Sequence, residues 1–94
     1  MSLDVVAARL RLRLPDVWAV TVTRDRSVGP VLVVSATGAT GSFWREFRVR
    51  EETDPVSGRT RCAVAQRSDM DDGRPSWWAG SHGRTVERIS GIVS

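Results

Sequence analysis

The pattern that most constrains this chain is a pair of alternating segments, residues 43–52 and 59–67, joined by turn-forming residues. In both segments apolar side chains recur at every second position, which is the period of a strand with one buried face. Residues 54–58 include the Pro and Gly that tight turns favour. We therefore predict an antiparallel hairpin. The side chains expected on its buried face are Phe43, Phe47, Val49, Cys62 and Val64.

The register of this hairpin follows from keeping the apolar side chains on one face, since a slip by one residue would turn every side chain over. A four-residue loop over residues 54–57 meets that condition and predicts Val49 opposite Cys62. The same register places Arg50 opposite Arg61, and like charges in that position destabilise a sheet. Either Glu46, Glu52 or solvent screens the pair, or an anion or a partner's carboxylate lies there. The solvent face is expected to carry Trp44, Arg48, Arg50, Arg61 and Arg67, with Arg67 opposite the Trp44 ring.

The first residues of the chain predict a helix. Over residues 2–14 the apolar side chains fall at helical spacing, with Ser2 as a candidate N-cap and Pro15 as the stop. A strand is the alternative for residues 9–14, because Arg and Leu alternate there.

A second hairpin is predicted between this helix and the alternating pair. Residues 17–24 are rich in β-branched and aromatic side chains and are expected to form a half-buried strand with Trp18, Val20 and Val22 on one face. Residues 31–36 form an apolar strand that we expect to be covered on both faces. The Gly-rich residues 37–42 are expected to form a flexible connection to the next strand.

The last predicted element is a short helix over residues 85–93, with Ser81 or Thr85 as its cap. Gly and β-branched residues in this segment leave a strand as the alternative. The sequence thus predicts a single small α+β domain over residues 1–94. It has an N-terminal helix, an antiparallel sheet of about four strands and a short C-terminal helix.

Composition narrows the class of protein further. All 14 basic residues are Arg, and Lys, Asn and Tyr are absent, which is the codon bias of a GC-rich genome such as that of a high-GC bacterium or its phage. The net charge is only +3, so the arginines are weak evidence for nucleic-acid binding by themselves. No apolar run exceeds the four residues of 31–34, a length far too short to span a bilayer. We expect a soluble, cytoplasmic protein that does not bind membranes.

The potential catalytic and metal-ligating residues of the sequence do not form a recognisable site. We therefore expect that the protein is not an enzyme and that it binds no metal or cofactor. His82 is the one histidine and is expected in an exposed loop, whereas Cys62 is expected in the core as an inert thiol. The acidic residues 69–73 lack the ligand spacing of a calcium-binding loop and are expected to be solvated. The glycines of residues 38–41 are assigned to the connection between strands rather than to a nucleic-acid clamp.

The adjacent pair Trp77 and Trp78 is the most informative local feature. On an extended segment neighbouring side chains point to opposite faces, so at most one of these indoles is expected to enter the core. Because Trp and Arg are enriched among residues that carry interface energy, the other is a candidate anchor for a partner.

These features predict a small non-catalytic interaction module that binds a protein partner or a second copy of itself. The alternative is a nucleic-acid-binding protein, in which the same arginines contact phosphates and Trp44 or Trp77 stacks on a base. No small-molecule substrate is indicated. The candidate partner-binding residues are Trp44, Arg48, Arg50, Arg61, Arg67, Trp77 and Trp78.

Overall fold

The computed structural model describes residues 2–38 and 43–93, beginning with helix α1 (Leu3–Arg13). The predicted helix is confirmed, and the strand alternative for residues 9–14 is wrong. Leu14 has an extended backbone (φ −89°, ψ 148°), because a residue that precedes proline disfavours the helical conformation. Ser2 lies at the N-cap, but its side chain forms no capping hydrogen bond; its carbonyl accepts one from the Val6 amide at 3.1 Å.

The strands of the described chain form one antiparallel sheet in which each strand pairs with the next along the sequence. Its five strands are β1 (Ala19–Asp25), β2 (Gly29–Thr37), β3 (Trp44–Thr53), β4 (Thr60–Ser68) and β5 (Ser76–Gly80). A 3-10 turn (Asp69–Asp71) precedes β5, and helix α2 (His82–Val93) follows it. The α+β class is confirmed, with five strands in place of about four. The predicted Gly-rich connection begins later than expected, and its residues 39–42 lie outside the described residues.

The β3–β4 register keeps the predicted faces but differs from the predicted pairing by two residues. The Asp54 amide donates to the Arg59 carbonyl at 2.8 Å, so the four-residue loop is residues 55–58 rather than 54–57. Within it, Gly58 has a φ of +72°, a conformation that favours glycine. As a result Val49 lies opposite Val64, not Cys62.

The core is one layer between the two helices and one face of the sheet. Its buried side chains are Leu3, Val6, Ala7, Leu10, Leu14, Leu32, Val34, Phe47, Val49, Cys62, Val64, Val86 and Ile89. Phe47 is fully buried, and its ring centroid lies 6.0 Å from that of Trp18 at an interplanar angle of 41°. The predicted division of the hairpin into an apolar and a polar face is therefore confirmed. Phe43 is the exception, because it precedes β3 and is 43% exposed.

Strand β2 is covered less completely than predicted. Leu32 and Val34 are fully buried by the helices, whereas Val33 and Ser35 on the other face are half-buried. The reason is that both helices lie on the same side of the sheet, so no helix covers the second face. None of the described helices has the length and apolar character that a bilayer crossing requires.

Helix α2 confirms the predicted C-terminal helix and begins three residues earlier than expected. Ser81 is its cap: the Ser81 hydroxyl accepts from the Arg84 amide at 3.2 Å, and the Ser81 carbonyl accepts from the Thr85 amide at 2.9 Å. Val86 and Ile89 are buried against the core, which fixes the helix on the sheet and excludes the strand alternative.

Candidate binding site

The face of the sheet opposite the helices carries a pocket of about 240 Å³. We call it the arginine pocket; its lining residues are Asp25, Val28, Val31, Arg48, Arg50, Ala63, Ala65 and Trp77. Three of the predicted partner-binding residues, Arg48, Arg50 and Trp77, are therefore brought together. The shape is open and concave, with an apolar floor and charged walls.

Small side chains on β4 create this pocket. Ala65 lies between Arg48 of β3 and Trp77 of β5 in the same row across the sheet. Neighbouring strands are about 4.8 Å apart, so a methyl group between two long side chains leaves a gap that those side chains border. Ala63 lies opposite Arg50 and has another small side chain, Ala79 of β5, on its other side. Ala63 and Ala65 are both buried even though no helix covers them.

The ion pairs of this face leave one arginine without a carboxylate. The Glu46 carboxylate accepts from Arg48 Nε at 2.8 Å and lies 3.6 Å from Arg67 Nη2. Arg61 Nε donates to Glu52 at 2.8 Å. Arg50 forms no ion pair within the described chain, and its Nε is buried without a hydrogen-bond partner there. Because Arg50 is only half-buried and lines the pocket, the charge of its guanidinium is available to an external acceptor.

The predicted opposition of Arg50 and Arg61 is wrong. In the observed register Arg50 faces Ala63 and Arg61 faces Glu52, so these two arginines do not form a like-charged cross-strand pair. The predicted position of Arg67 opposite Trp44 is wrong for the same reason, since Arg67 lies opposite Glu46.

Asp25 supplies a negative charge at one end of the pocket. Its carboxylate accepts hydrogen bonds from the Ser27 amide at 2.7 Å, the Ser27 hydroxyl at 2.6 Å and the Val28 amide at 3.3 Å. The bonds from the Ser27 hydroxyl and amide and then from Val28, together with the charge of Arg48, lower the pKa of Asp25. The carboxylate thus holds the β1–β2 turn and the position of Val28.

The two adjacent tryptophans separate as predicted. Trp77 lines the arginine pocket and is 63% exposed. Trp78 lies on the helix side, packs against the core, and has the Arg88 guanidinium carbon 4.4 Å from its ring centroid. Trp78 therefore does not belong to the same binding face as Trp77.

The other predicted residues flank the pocket without lining it. Arg61, Arg67 and Trp44 share the pocket's face of the sheet, and Trp44 is held at the far end by a bond from its amide to Asp69 Oδ1 at 3.2 Å. The residues that sequence reasoning missed are Asp25, Val28, Val31, Ala63 and Ala65. The alanines left a signal, because two of them alternate on β4 where a polar strand face would carry larger side chains.

His82 lies in a different place from the exposed loop that we predicted. It is the first residue of α2, is buried, and has Nε2 2.8 Å from Glu51 Oε2 of β3. The contact joins the start of the helix to the sheet. Cys62, opposite Glu51 in the ladder, is fully buried as predicted. Burial raises the pKa of the Cys62 thiol; a hydrogen bond with Thr85 opposes this effect, and the charge of Glu51 adds to it.

The acidic residues 69–73 form an ordered turn, and residues 70–72 are exposed to solvent as predicted. Asp69 accepts from the Trp44 amide, and Asp71 Oδ2 lies 3.4 Å from the Ser68 hydroxyl oxygen. Asp72 and Gly73 complete the turn with φ values of 52° and 75°. In residues 2–38 and 43–93 no three His, Cys, Asp or Glu side chains are placed to hold a metal ion together.

Comparison with protein-family models, with curated proteins and with solved structures finds no match to this chain.

Proposed function

We propose that the chain is a small non-catalytic binding module that takes a carboxylate-bearing segment of a protein partner in the arginine pocket. The observation that supports this most directly is Arg50, which lines the pocket together with the exposed Trp77 and forms no ion pair with any described residue. A second copy of the chain is one such partner, and a different protein is the other.

The chemistry of the pocket favours a carboxylate with an apolar neighbour. A guanidinium binds a carboxylate through two parallel hydrogen bonds, which are stronger than bonds between neutral groups. The floor formed by Val31, Ala63 and Ala65 accepts an apolar side chain next to that carboxylate. Trp77 offers a large, rigid surface of the kind that dominates interface energy. Arg50 and Trp77 are therefore the residues expected to carry the affinity.

The test is native capture from a lysate of the encoding cell, with quantitative mass spectrometry, by the wild-type protein and by two pocket variants. R50Q and W77A are expected to lose the partner. R9Q, an exposed position on α1 behind the sheet, is the matched control and is expected to keep it. Analytical sedimentation of the purified protein measures its oligomeric state and so tests self-association. A monomer that captures no protein, or a partner held equally by R50Q, would overturn the proposal.

Nucleic-acid binding is the second candidate, favoured by an exposed indole beside Arg48 and Arg50. Against it, Glu46 already pairs with Arg48, so one arginine of the pocket is left for phosphates, whereas nucleic-acid binding draws its affinity from several phosphate contacts. Fluorescence polarisation with labelled single-stranded and double-stranded oligonucleotides at two salt concentrations separates the two candidates. Salt-dependent binding that R50Q abolishes would favour nucleic acid, and absence of binding at micromolar protein would exclude it.

A further inference from the structure

A second concave surface, of about 400 Å³, lies between strand β5 and helix α2. We call it the β5–α2 groove; its lining residues are Trp78, Ala79, Gly80, Arg84, Glu87 and Arg88. It lies on the helix side of the sheet and shares no lining residue with the arginine pocket. What it binds is therefore a separate question from the proposed function.

One wall of the groove is the edge of the sheet. β5 pairs with β4 over its whole length, and within the described chain no strand pairs with its other side. Edge strands usually carry a charge or a proline that prevents pairing with another chain, and Ser76–Gly80 contains neither. The edge is therefore suited to the addition of a further strand.

The other wall carries positive charge that the fold does not neutralise. Glu87 is paired with Arg13 of α1. Arg84 and Arg88 form no ion pair among the described residues, although Arg88 lies on the Trp78 ring. The groove thus offers donors and positive charge, which acidic side chains and peptide carbonyls complement.

The spacing of the two arginines matches that of an extended peptide. Side chains four positions apart on a helix, as Arg84 and Arg88 are, lie about 6 Å apart along the axis. Alternate side chains of a strand lie on one face about 6.6 to 6.8 Å apart. Two acidic residues separated by one position can therefore meet Arg84 and Arg88 together.

From this geometry we infer that an acidic segment of a partner protein binds in the β5–α2 groove as a sixth strand on β5. Its alternate carboxylates contact Arg84 and Arg88, and its backbone pairs with the edge of β5.

The test uses a fluorescein-labelled peptide of alternating Glu and Thr, with a Lys and Thr peptide of equal length as control. Fluorescence polarisation is expected to show binding of the Glu peptide that weakens with salt. R84Q/R88Q should bind it at least about tenfold more weakly, and R9Q, at an exposed position on α1, should bind it as the wild type does. Amide hydrogen exchange should show new protection at residues 76–80 in the complex.

A charge reversal distinguishes the loss of a binding contact from a disturbance of the fold. R84E/R88E is expected to lose the Glu peptide and gain binding of the Lys peptide, and circular dichroism checks that it is folded. No binding of the Glu peptide, equal binding of both peptides by the wild type, or binding without protection of β5 would each overturn the inference. Loss of binding in R50Q instead would place the peptide in the arginine pocket and also overturn it.

Discussion

Arg50 lies directly opposite Ala63 in the β3–β4 ladder, and the methyl group of Ala63 provides the guanidinium with no acceptor. This relationship distinguishes Arg50 from Arg61, whose cross-strand neighbour Glu52 is a carboxylate. The proposed binding of a carboxylate in the arginine pocket depends on this difference.

An internal carboxylate placed opposite Arg50 should therefore compete with the partner. We expect A63E to pair with Arg50, to fill the pocket, and to abolish capture of the partner. Cross-strand ion pairs contribute about 0.2–1 kcal/mol, so the variant should be as stable as the wild type or slightly more stable in urea. A19E, on the same face at the end of β1, is the control. Unaltered capture by A63E would contradict the assignment of the pocket.

The core depends on Phe47. The variant F47A, which removes this fully buried ring, should have a free energy of unfolding about 3–5 kcal/mol lower than the wild type. Both the contacts of the ring and the packing of Trp18 against it are lost. Urea denaturation followed by tryptophan fluorescence measures the loss. V56A, at a position that is 94% exposed, should change stability by less than about 0.5 kcal/mol. Equal stability of the two variants would show that the described core is wrong.

The contact between Glu51 and His82 should stabilise the start of α2 on the sheet. A double-mutant cycle with E51Q and H82Q isolates this contact, and we expect a coupling free energy of about 0.5–1.5 kcal/mol. The measurement is the urea midpoint of the wild type, both single variants and the double variant. Single effects that simply add would show that the two side chains do not interact in solution.

Asp25 should make stability depend on pH in the acidic range. Hydrogen bonds from Ser27 and Val28 lower its pKa in the folded state, so the carboxylate contributes stability above the unfolded pKa of about 3.9. That contribution disappears as pH falls through the lower folded value. The stability difference between wild type and D25N should therefore be constant above about pH 5 and shrink below about pH 4. Urea titrations at three pH values test this, and a difference that grows in acid would contradict it.

Much of this fold could be predicted from residue periodicity, because side-chain direction repeats every 3.6 residues in a helix and every two in a strand. The burial of Phe47 and Val64 on one face followed from that rule. The pairing partner of Arg50 did not, since moving a strand by two residues leaves every side chain on the same face. The backbone hydrogen bond from the Asp54 amide to the Arg59 carbonyl distinguishes the two registers. The pattern of apolar residues does not predict this bond.

The contacts that the sequence did not reveal join residues far apart in the chain. His82 is buried because Glu51, 31 positions earlier, lies beside it. Strand β5 was missed because Ser, Ala and Gly surround its two tryptophans and give no alternation of apolar and polar residues. The floor of the arginine pocket was missed because an alanine marks a gap only where its neighbours on the adjacent strands are long. Those neighbours depend on the register, which the sequence did not reveal.

The most direct test of carboxylate binding at Arg50 is the affinity of the captured partner for R50Q compared with the wild type. Isothermal titration calorimetry measures both affinities, with R9Q as control. Loss of a charged hydrogen-bonding group at a desolvated contact is expected to weaken binding by at least about tenfold, with R9Q unchanged. Equal affinities for R50Q and the wild type would contradict the claim that Arg50 receives the partner's carboxylate.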